Sequence, residues 1–295
     1  MKTFTLSFLV FLSIQVNSLF AQVDSTRTDS ISVVSERINE DVNQPVNNEV
    51  YKVKNGIDIP LTVAMAGYTL YGFSVVYGRD KVPEAEILAL NRNDVNSFDR
   101  PIIDNYSTKA KSASDVFFYG SMPLPLFLLL DKEIRKDGPK VGLLYLEALS
   151  LTGSIYVSAS MIANRFRPYA YNPNVDMDTR RRGGARNSFP AGHPAVTATS
   201  LFFMAKVYSD YHPDMKNKWI LYSLAGAGAA ACGIFRIEAG QHFITDVLVG
   251  VPMGALVGIL VPHIHKVRNK NPKLSLIPKF NKESTGFIAY YRLGK

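Results

Sequence analysis

Six apolar runs constrain the fold of this 295-residue chain more than any other feature. About 20 apolar residues in a helix cross a bilayer, and inside a bilayer the backbone polar groups must be paired within the segment. The runs therefore predict an all-α, membrane-embedded bundle of about six helices, and a soluble bundle with unusually apolar helices is the alternative. The runs cover residues 59–77, 116–130, 141–163, 193–208, 219–235 and 244–262.

The segments outside the runs predict three further parts. Residues 1–21 are typical of a secretory signal, with a basic start at Lys2 and a small residue, Ala21, before a cleavage point; an uncleaved anchor helix is the alternative. Residues 22–58 are polar and are expected to form a flexible linker before the helical domain at 59–262. Residues 263–295 form a basic tail in which 274–277 and 286–293 are expected to be short β-strands.

The charge and the cysteine content narrow the classes of partner. The chain has a net charge of +8, and its lysines and arginines cluster beside hydrophobic segments. This distribution favours a membrane surface and phosphorylated substrates, and no nucleic-acid partner is expected. Cys232 is the one cysteine, so the chain cannot form an internal disulfide.

Three clusters of residues with side chains suited to catalysis or anion binding lie at the ends of the apolar runs. Residues 165–168 leave the third run, residues 188–193 enter the fourth, and residues 236–246 join the fifth to the sixth. If the helices alternate in direction, the two connections lie on the same side of the membrane. The three clusters are therefore expected to meet in one pocket.

The residue types in these clusters suit chemistry at phosphorus. Arg167 and Arg236 offer forked, always charged donors that match phosphate oxygens, and Gly192 lets the backbone approach an anion closely. His193 and His242 suit a two-step displacement, in which one histidine attacks and the other protonates the departing oxygen.

The carboxylate of Asp246 lies one helical turn after His242. From there it is expected to accept a hydrogen bond from the imidazole and to hold its tautomer. The same spacing also suits a simple helix-surface pair or two metal ligands. The basic run 180–182 is expected to face solvent or lipid headgroups.

The three clusters together resemble the motifs of the type-2 phosphatidic-acid phosphatase superfamily, which includes membrane lipid phosphatases, soluble acid phosphatases and vanadium haloperoxidases. Those motifs are a lysine, six residues and Arg-Pro; then Pro-Ser-Gly-His; then Ser-Arg, five residues, His, three residues and Asp. The resemblance runs from residue 59 to residue 262. It implies an acid phosphatase/haloperoxidase-type core with His242 as nucleophile, His193 as general acid and Asp246 as the partner of His242.

The resemblance also implies a phosphoric-ester hydrolase that uses no cofactor. Arg167 and Arg236 would bind the phosphate, and no metal is expected because the arginines neutralise its charge. The implied reaction is hydrolysis of a lipid phosphate monoester or pyrophosphate through a phosphohistidine intermediate. The candidates are undecaprenyl pyrophosphate, phosphatidic acid, phosphatidylglycerol phosphate and a lipid A phosphate.

Three positions depart from the family pattern. Ser160 occupies the lysine position, Ala191 the serine position of the second motif, and Phe235 the serine position before Arg236. Arg165 is a possible accessory residue that restores charge. Because a cationic donor is replaced, a non-catalytic binder of phospholipid headgroups is the alternative function, and a haloperoxidase that holds vanadate is a third.

The orientation in the membrane is predicted from the charged turns. The turns at 132–140 and 216–218 and the basic tail favour the cytoplasm. A site on the other side would face the periplasm from the inner membrane of a bacterial cell envelope. A cleaved signal followed by six spans would instead place the site inside the cell, unless the first run does not span.

Overall fold

The computed structural model describes residues 49–267, and the backbone of the strands at 274–281 and 284–291. The predicted signal at 1–21 and the part of the predicted linker before residue 49 lie outside the described residues. Six long helices make up the described bundle, which confirms the predicted fold class. They are α1 (Asn55–Tyr77), α2 (Thr108–Ser121), α3 (Gly138–Ala163), α4 (Gly192–Tyr211), α5 (Lys218–Glu238) and α6 (Ile244–His265).

Shorter elements connect these helices. After α2, prolines at 123 and 125 end the α-helix, and the apolar run continues as the 3₁₀-helix Leu124–Leu130. The other 3₁₀-helices are Arg92–Asp94, Arg100–Asp104 and Gly183–Arg186, and the short α-helices are Glu84–Leu88, Lys132–Lys136, Pro168–Tyr171 and Met177–Arg180.

Among the described residues, five segments are long and apolar enough to cross a membrane: Asn55–Tyr77, Thr108–Leu130, Gly138–Tyr171, Lys218–Glu238 and Ile244–His265. They expose large apolar side chains such as Leu70, Ile162 and Leu224, and exposed apolar surface of this kind suits contact with lipid. Helix α4, which contains the fourth apolar run of the sequence, is not among the five. Helix α4 instead lies at the centre, packed against α2, α3, α5 and α6.

Glycines bring the backbones of α4 and α6 into direct contact. A β-carbon on Gly254 would lie 1.9 Å from the carbonyl oxygen of Ala195, and one on Gly250 or Gly258 would lie 2.5 Å from the carbonyl oxygen of Ala191 or Thr199. The three glycines recur every four residues and so line one face of α6, as in small-residue packing between membrane helices. This contact fixes the start of α4 against the start of α6, where the site lies.

The helices alternate in direction. At one end, Asn105 donates to the carbonyl of Ile237, which places the start of α2 beside the end of α5, and Arg165 joins the end of α3 to the start of α6. At the opposite end, Tyr211 at the end of α4 bonds Asp137 at the start of α3.

Residues 49–58 do not behave as the predicted flexible linker. Tyr51 is fully buried, and its backbone forms an isolated antiparallel β-bridge with Lys266. Its hydroxyl donates a 2.8 Å hydrogen bond to Asp210. Helix α1 begins at Asn55, and Asp58 is buried within its first turn. This segment therefore belongs to the helical domain, because its polar side chains are paired inside the protein.

The tail forms the two strands that the sequence predicts, with different bounds: the first extends to residue 281, beyond the predicted 274–277, and the second lies two positions before the predicted 286–293. Strands β1 (Leu274–Asn281) and β2 (Ser284–Tyr291) pair antiparallel, with Leu274 opposite Tyr291 and Asn281 opposite Ser284.

Candidate active site

The structure brings the three sequence clusters together at the end of the bundle where α3 and α5 end and α4 and α6 begin. Asn164, in a left-handed conformation with φ of 44°, terminates α3 and releases the chain into Arg165–Pro168. Gly240, with φ of +66°, turns the chain between α5 and α6, and a β-carbon there would lie 2.1 Å from the carbonyl oxygen of Asn105. The turn therefore requires glycine.

The two arginines predicted to bind phosphate are buried and converge on Gln241. Arg167 Nη1 donates to Gln241 Oε1 at 2.6 Å, and Arg236 Nη2 approaches the same oxygen at 3.5 Å. The Nε atom of each arginine is buried and has no hydrogen-bond partner within the part of the chain that the structure describes. Unsatisfied buried donors are costly, so the pair forms a seat for an anion.

His193 lies in the first turn of α4, beside a carboxylate that the sequence analysis did not single out. Its Nε2 atom is 3.5 Å from Asp115 Oδ1, and its ring packs 4.2 Å from the ring of Phe118. Asp115 also lies 3.3 Å from Arg236 Nη1. The only signal of this residue in the sequence is a charge at the start of the second apolar run.

The imidazole of His242 is fully buried and has a defined tautomer. Its Nδ1 atom is 2.6 Å from the carbonyl oxygen of Ser188, and because a carbonyl only accepts, Nδ1 carries the proton. Burial, followed by the charges of Arg167 and Arg236, holds the pKa of His242 well below its usual value. The neutral imidazole therefore has Nε2 free as a base or nucleophile.

Asp246 does not bond His242, which corrects the prediction of a direct pair. Its Oδ2 atom lies 3.9 Å from His242 Nδ1, and the carboxylate accepts instead from Ser188 Oγ at 2.6 Å and from the backbone N–H of Phe243 at 2.8 Å. A carboxylate at the third position of a helix commonly turns back to the start of that helix. Ser188 therefore lies between Asp246 and His242 in the hydrogen-bond chain.

Arg165 takes part in a structural network, which argues against its predicted accessory role. It donates to Asp246 at 2.5 Å and to Asp99 at 2.8 Å, and its guanidinium lies 4.4 Å above the ring of Phe243. Asp99 is buried, which raises its pKa, but hydrogen bonds from Thr245, Arg165 and Asn96 outweigh this effect and lower the pKa overall. Arg165 is thus paired with two carboxylates.

Of the three departures from the family pattern, Ser160 and Ala191 are fully buried and Phe235 is half-buried. Ser160 is fully buried next to Tyr156, and Tyr156 pairs with Tyr77 through their hydroxyls at 2.9 Å. A β-carbon on Gly192 would lie 2.8 Å from the Tyr156 ring, so glycine permits this contact. Ala191 is also buried, and Phe235 packs on Phe117.

The basic run at 180–182 does not form one exposed face, as had been expected. Arg180 is buried and donates from Nε to the carbonyl of Ala170 at 2.9 Å. Arg181 donates to the carbonyl of Val82 at 2.8 Å. Arg182 is exposed and lines a cavity of about 250 Å³ that Gln241 borders.

Metal-binding groups are not gathered at this site. Within residues 49–267, no three His, Cys, Asp or Glu side chains cluster closely enough to hold a metal ion.

Comparisons with known proteins show what this chain is similar to. Residues 141–270 match the PAP2 superfamily. Phosphatidylglycerophosphatase B of Bacillus subtilis (strain 168) is 39% identical over 75 residues, which are 25% of this chain and 37% of that protein. Lipid A 1-phosphatase of Porphyromonas gingivalis is 39% identical over 82 residues, which are 28% of this chain and 17% of that protein.

The match in each relative thus spans well under two thirds of that relative's length. A solved structure, that of a transmembrane PAP2-type phosphatidylglycerolphosphate phosphatase from Bacillus subtilis, aligns with 69% of this chain and 94% of its own, at 21% identity and a TM-score of 0.44. The segment matched by the family contains Arg167, His193, Arg236, His242 and Asp246. The similarity to the PAP2 superfamily thus covers residues 141–270, the part of the chain in which all five of these residues lie.

Proposed function

We propose that this protein is a metal-independent phosphatase that hydrolyses a lipid phosphate monoester or pyrophosphate through a phosphohistidine at His242. The names of its relatives, phosphatidylglycerophosphatase B and lipid A 1-phosphatase, suggest phosphorylated membrane lipids as substrates. The proposed place is the inner membrane of a bacterial cell envelope, with the site facing the periplasm.

In the first step, Nε2 of His242 attacks phosphorus, and the bond from phosphorus to the leaving oxygen breaks. Arg167 and Arg236 hold the phosphoryl oxygens, and their charge stabilises the transition state. His193 transfers its proton to the leaving oxygen. The products of this step are the dephosphorylated lipid, or its monophosphate from a pyrophosphate, and a phosphohistidine.

In the second step, water attacks the phosphohistidine. His193, now neutral, accepts a proton from the water, the bond from phosphorus to Nε2 breaks, and inorganic phosphate leaves. Burial, followed by the charges of Arg236, Arg167 and Lys111, lowers the pKa of His193. The negative charge of the substrate phosphate, and that of Asp115 at 3.5 Å from His193 Nε2, oppose this effect and supply the protonated form that the first step requires.

One observation carries the proposal. The proton on His242 Nδ1 is fixed by the Ser188 carbonyl at 2.6 Å, so Nε2 is left as the reactive atom beside the two arginines whose Nε donors are unpaired within residues 49–267. A nucleophile with a fixed tautomer next to an anion seat suits phosphoryl transfer.

The test is phosphate release from phosphatidic acid, phosphatidylglycerol phosphate, undecaprenyl pyrophosphate and lipid A by the purified protein in detergent. We expect release from at least one lipid, and a loss on the order of 10³-fold or more in His242→Ala, because no other group replaces the nucleophile. His212→Ala is the matched control, since His212 lies near Asp131 at the opposite end. Equal release by wild type and His242→Ala would contradict the mechanism, and EDTA should have no effect.

A second candidate is a non-catalytic binder of phospholipid headgroups. It is favoured by the neutral Ser160 at the lysine position and by Asp115, a carboxylate 3.3 Å from Arg236 that competes with a bound anion. Saturable binding of a lipid phosphate by wild type, without phosphate release from any lipid, would support this function over the phosphatase.

A further inference from the structure

The cavity beside Gln241 is separate from the seat between the two buried arginines. Gln241 forms the boundary, since it lines the cavity and its Oε1 accepts from Arg167 Nη1 at 2.6 Å. Neither Arg167 nor His242 lines the cavity, which has a volume of about 250 Å³. The cavity therefore adjoins the phosphate seat across a single side chain.

The lining of this cavity is cationic and rich in hydroxyl groups. Lys111 of α2 and Arg182 of the α3–α4 connection, which are far apart in the sequence, supply two positive charges. Ser107, Thr108 and Thr179 supply hydroxyl groups. None of the described residues that line it is Asp or Glu. Such a surface favours an anion with several acceptor oxygens.

The two cations form no ion pair within 4 Å in the described part of the chain. Arg181, the neighbour of Arg182, pairs with Glu84 at 3.6 Å. Arg182 acts on Asp176 only at longer range: hydrogen bonds from Thr179 are the main cause of the lowered pKa of that carboxyl, and the charge of Arg182 is a minor one. Both side chains are exposed. They are therefore free to close on a ligand.

The charge of Lys111 also acts on the catalytic centre. Burial, followed by the charges of Arg236, Arg167 and Lys111, lowers the pKa of His193. A ligand that neutralises Lys111 would therefore sit within electrostatic reach of the general acid.

We propose that this cavity binds a second phosphate group of the same substrate, next to the phosphate that is cleaved, with Lys111 and Arg182 as its ligands. The inference rests on the proposed function, and it narrows the substrate class to lipids that carry two neighbouring phosphate groups, such as a lipid pyrophosphate. A lipid with one phosphate monoester leaves the cavity empty. The position of the two cations thus makes them specificity-determining residues.

The test measures binding in the His242→Ala background, so that hydrolysis does not interfere. The probes are farnesyl diphosphate and farnesyl monophosphate, which share one lipid chain and differ by one phosphate. We expect Lys111→Ala and Arg182→Ala each to weaken diphosphate binding by about tenfold or more, the scale of a lost charged hydrogen bond, and monophosphate binding by less than about threefold. Lys109→Ala, an exposed lysine of the same helix, is the matched control and should leave both affinities unchanged.

Other outcomes would overturn the inference. An equal loss for both probes would mean that Lys111 and Arg182 serve the cleaved phosphate, and no loss for either would mean that the cavity is not used. A loss of diphosphate affinity in Lys109→Ala as large as in Lys111→Ala would mean that the loss comes from the lower net charge and not from a contact in the cavity. Because the readout is affinity, a protein that releases no phosphate from any lipid would disprove the proposed function and still give a decisive result here.

Discussion

At the scale of single residues, His242, the proposed nucleophile, is held by a carbonyl and not by a carboxylate. The Ser188 carbonyl accepts from His242 Nδ1, and the Ser188 hydroxyl donates to Asp246 at 2.6 Å. Ser188 therefore links the carboxylate to the imidazole, and its hydroxyl holds the backbone oxygen in place. Groups that orient a reactive side chain in this way commonly contribute factors of about 10–100.

We predict that Ser188→Ala lowers kcat by about tenfold with little change in KM, because it keeps the carbonyl but releases it from Asp246. Asp246→Asn should lower kcat further, since Asp246 also pairs with Arg165. Steady-state kinetics of phosphate release measures both effects. Ser158→Ala is the control, because Ser158 bonds the carbonyl of Ser154 at 2.8 Å, away from the site. A wild-type kcat in Ser188→Ala would show that Ser188 does not link Asp246 to His242.

The limits of sequence reasoning are clearest for these same residues. The spacing of His242 and Asp246 places both on one helical face but does not choose the partner of the carboxylate, which is the backbone N–H of Phe243 and the Ser188 hydroxyl. The role of Arg165 depends on Asp99, 66 positions earlier, and no local pattern connects the two. The helices were predictable because apolar length is a local property of the chain.

At the scale of helices, the contact between α4 and α6 determines where the reactive groups sit. His193 lies on the first turn of α4, and Asp246 lies on the first turn of α6. The glycines of α6 meet the backbone carbonyls of α4 with no room for a side chain. Any displacement of α6 from α4 therefore separates the two halves of the site.

We predict that Gly254→Ala lowers both stability and activity, because its methyl group would overlap the Ala195 carbonyl, 1.9 Å away. Overpacking of this kind costs about 1–3 kcal/mol. Thermal unfolding of the protein in detergent, followed by tryptophan fluorescence, measures the change. Gly142→Ala is the control, since a β-carbon there meets nothing within 4 Å. Unchanged unfolding of Gly254→Ala would show that the helices separate without cost.

At the scale of the whole molecule, charge is distributed unevenly between the two ends of the bundle. The end opposite the site carries Lys132 and Lys136 between α2 and α3, Lys140 in the first turn of α3, Lys216 just before α5 and Lys218 at its start. Basic residues flanking membrane helices favour the cytoplasm. The end that carries the site also holds cations, of which Lys111 and Arg182 are exposed, but Arg165, Arg167 and Arg180 are bonded or buried within the protein and contribute little to this bias.

We therefore predict that the catalytic end faces away from the cytoplasm. In a Cys232→Ala background, a membrane-impermeant thiol reagent added to intact spheroplasts should label Asp178→Cys, whose side chain is 81% exposed at the catalytic end, and should spare Asn217→Cys at the other end. Permeabilised cells are the control, because both positions should then react. Labelling of Asn217→Cys alone in intact spheroplasts would reverse the orientation, and the substrate would then be drawn from the cytoplasmic leaflet.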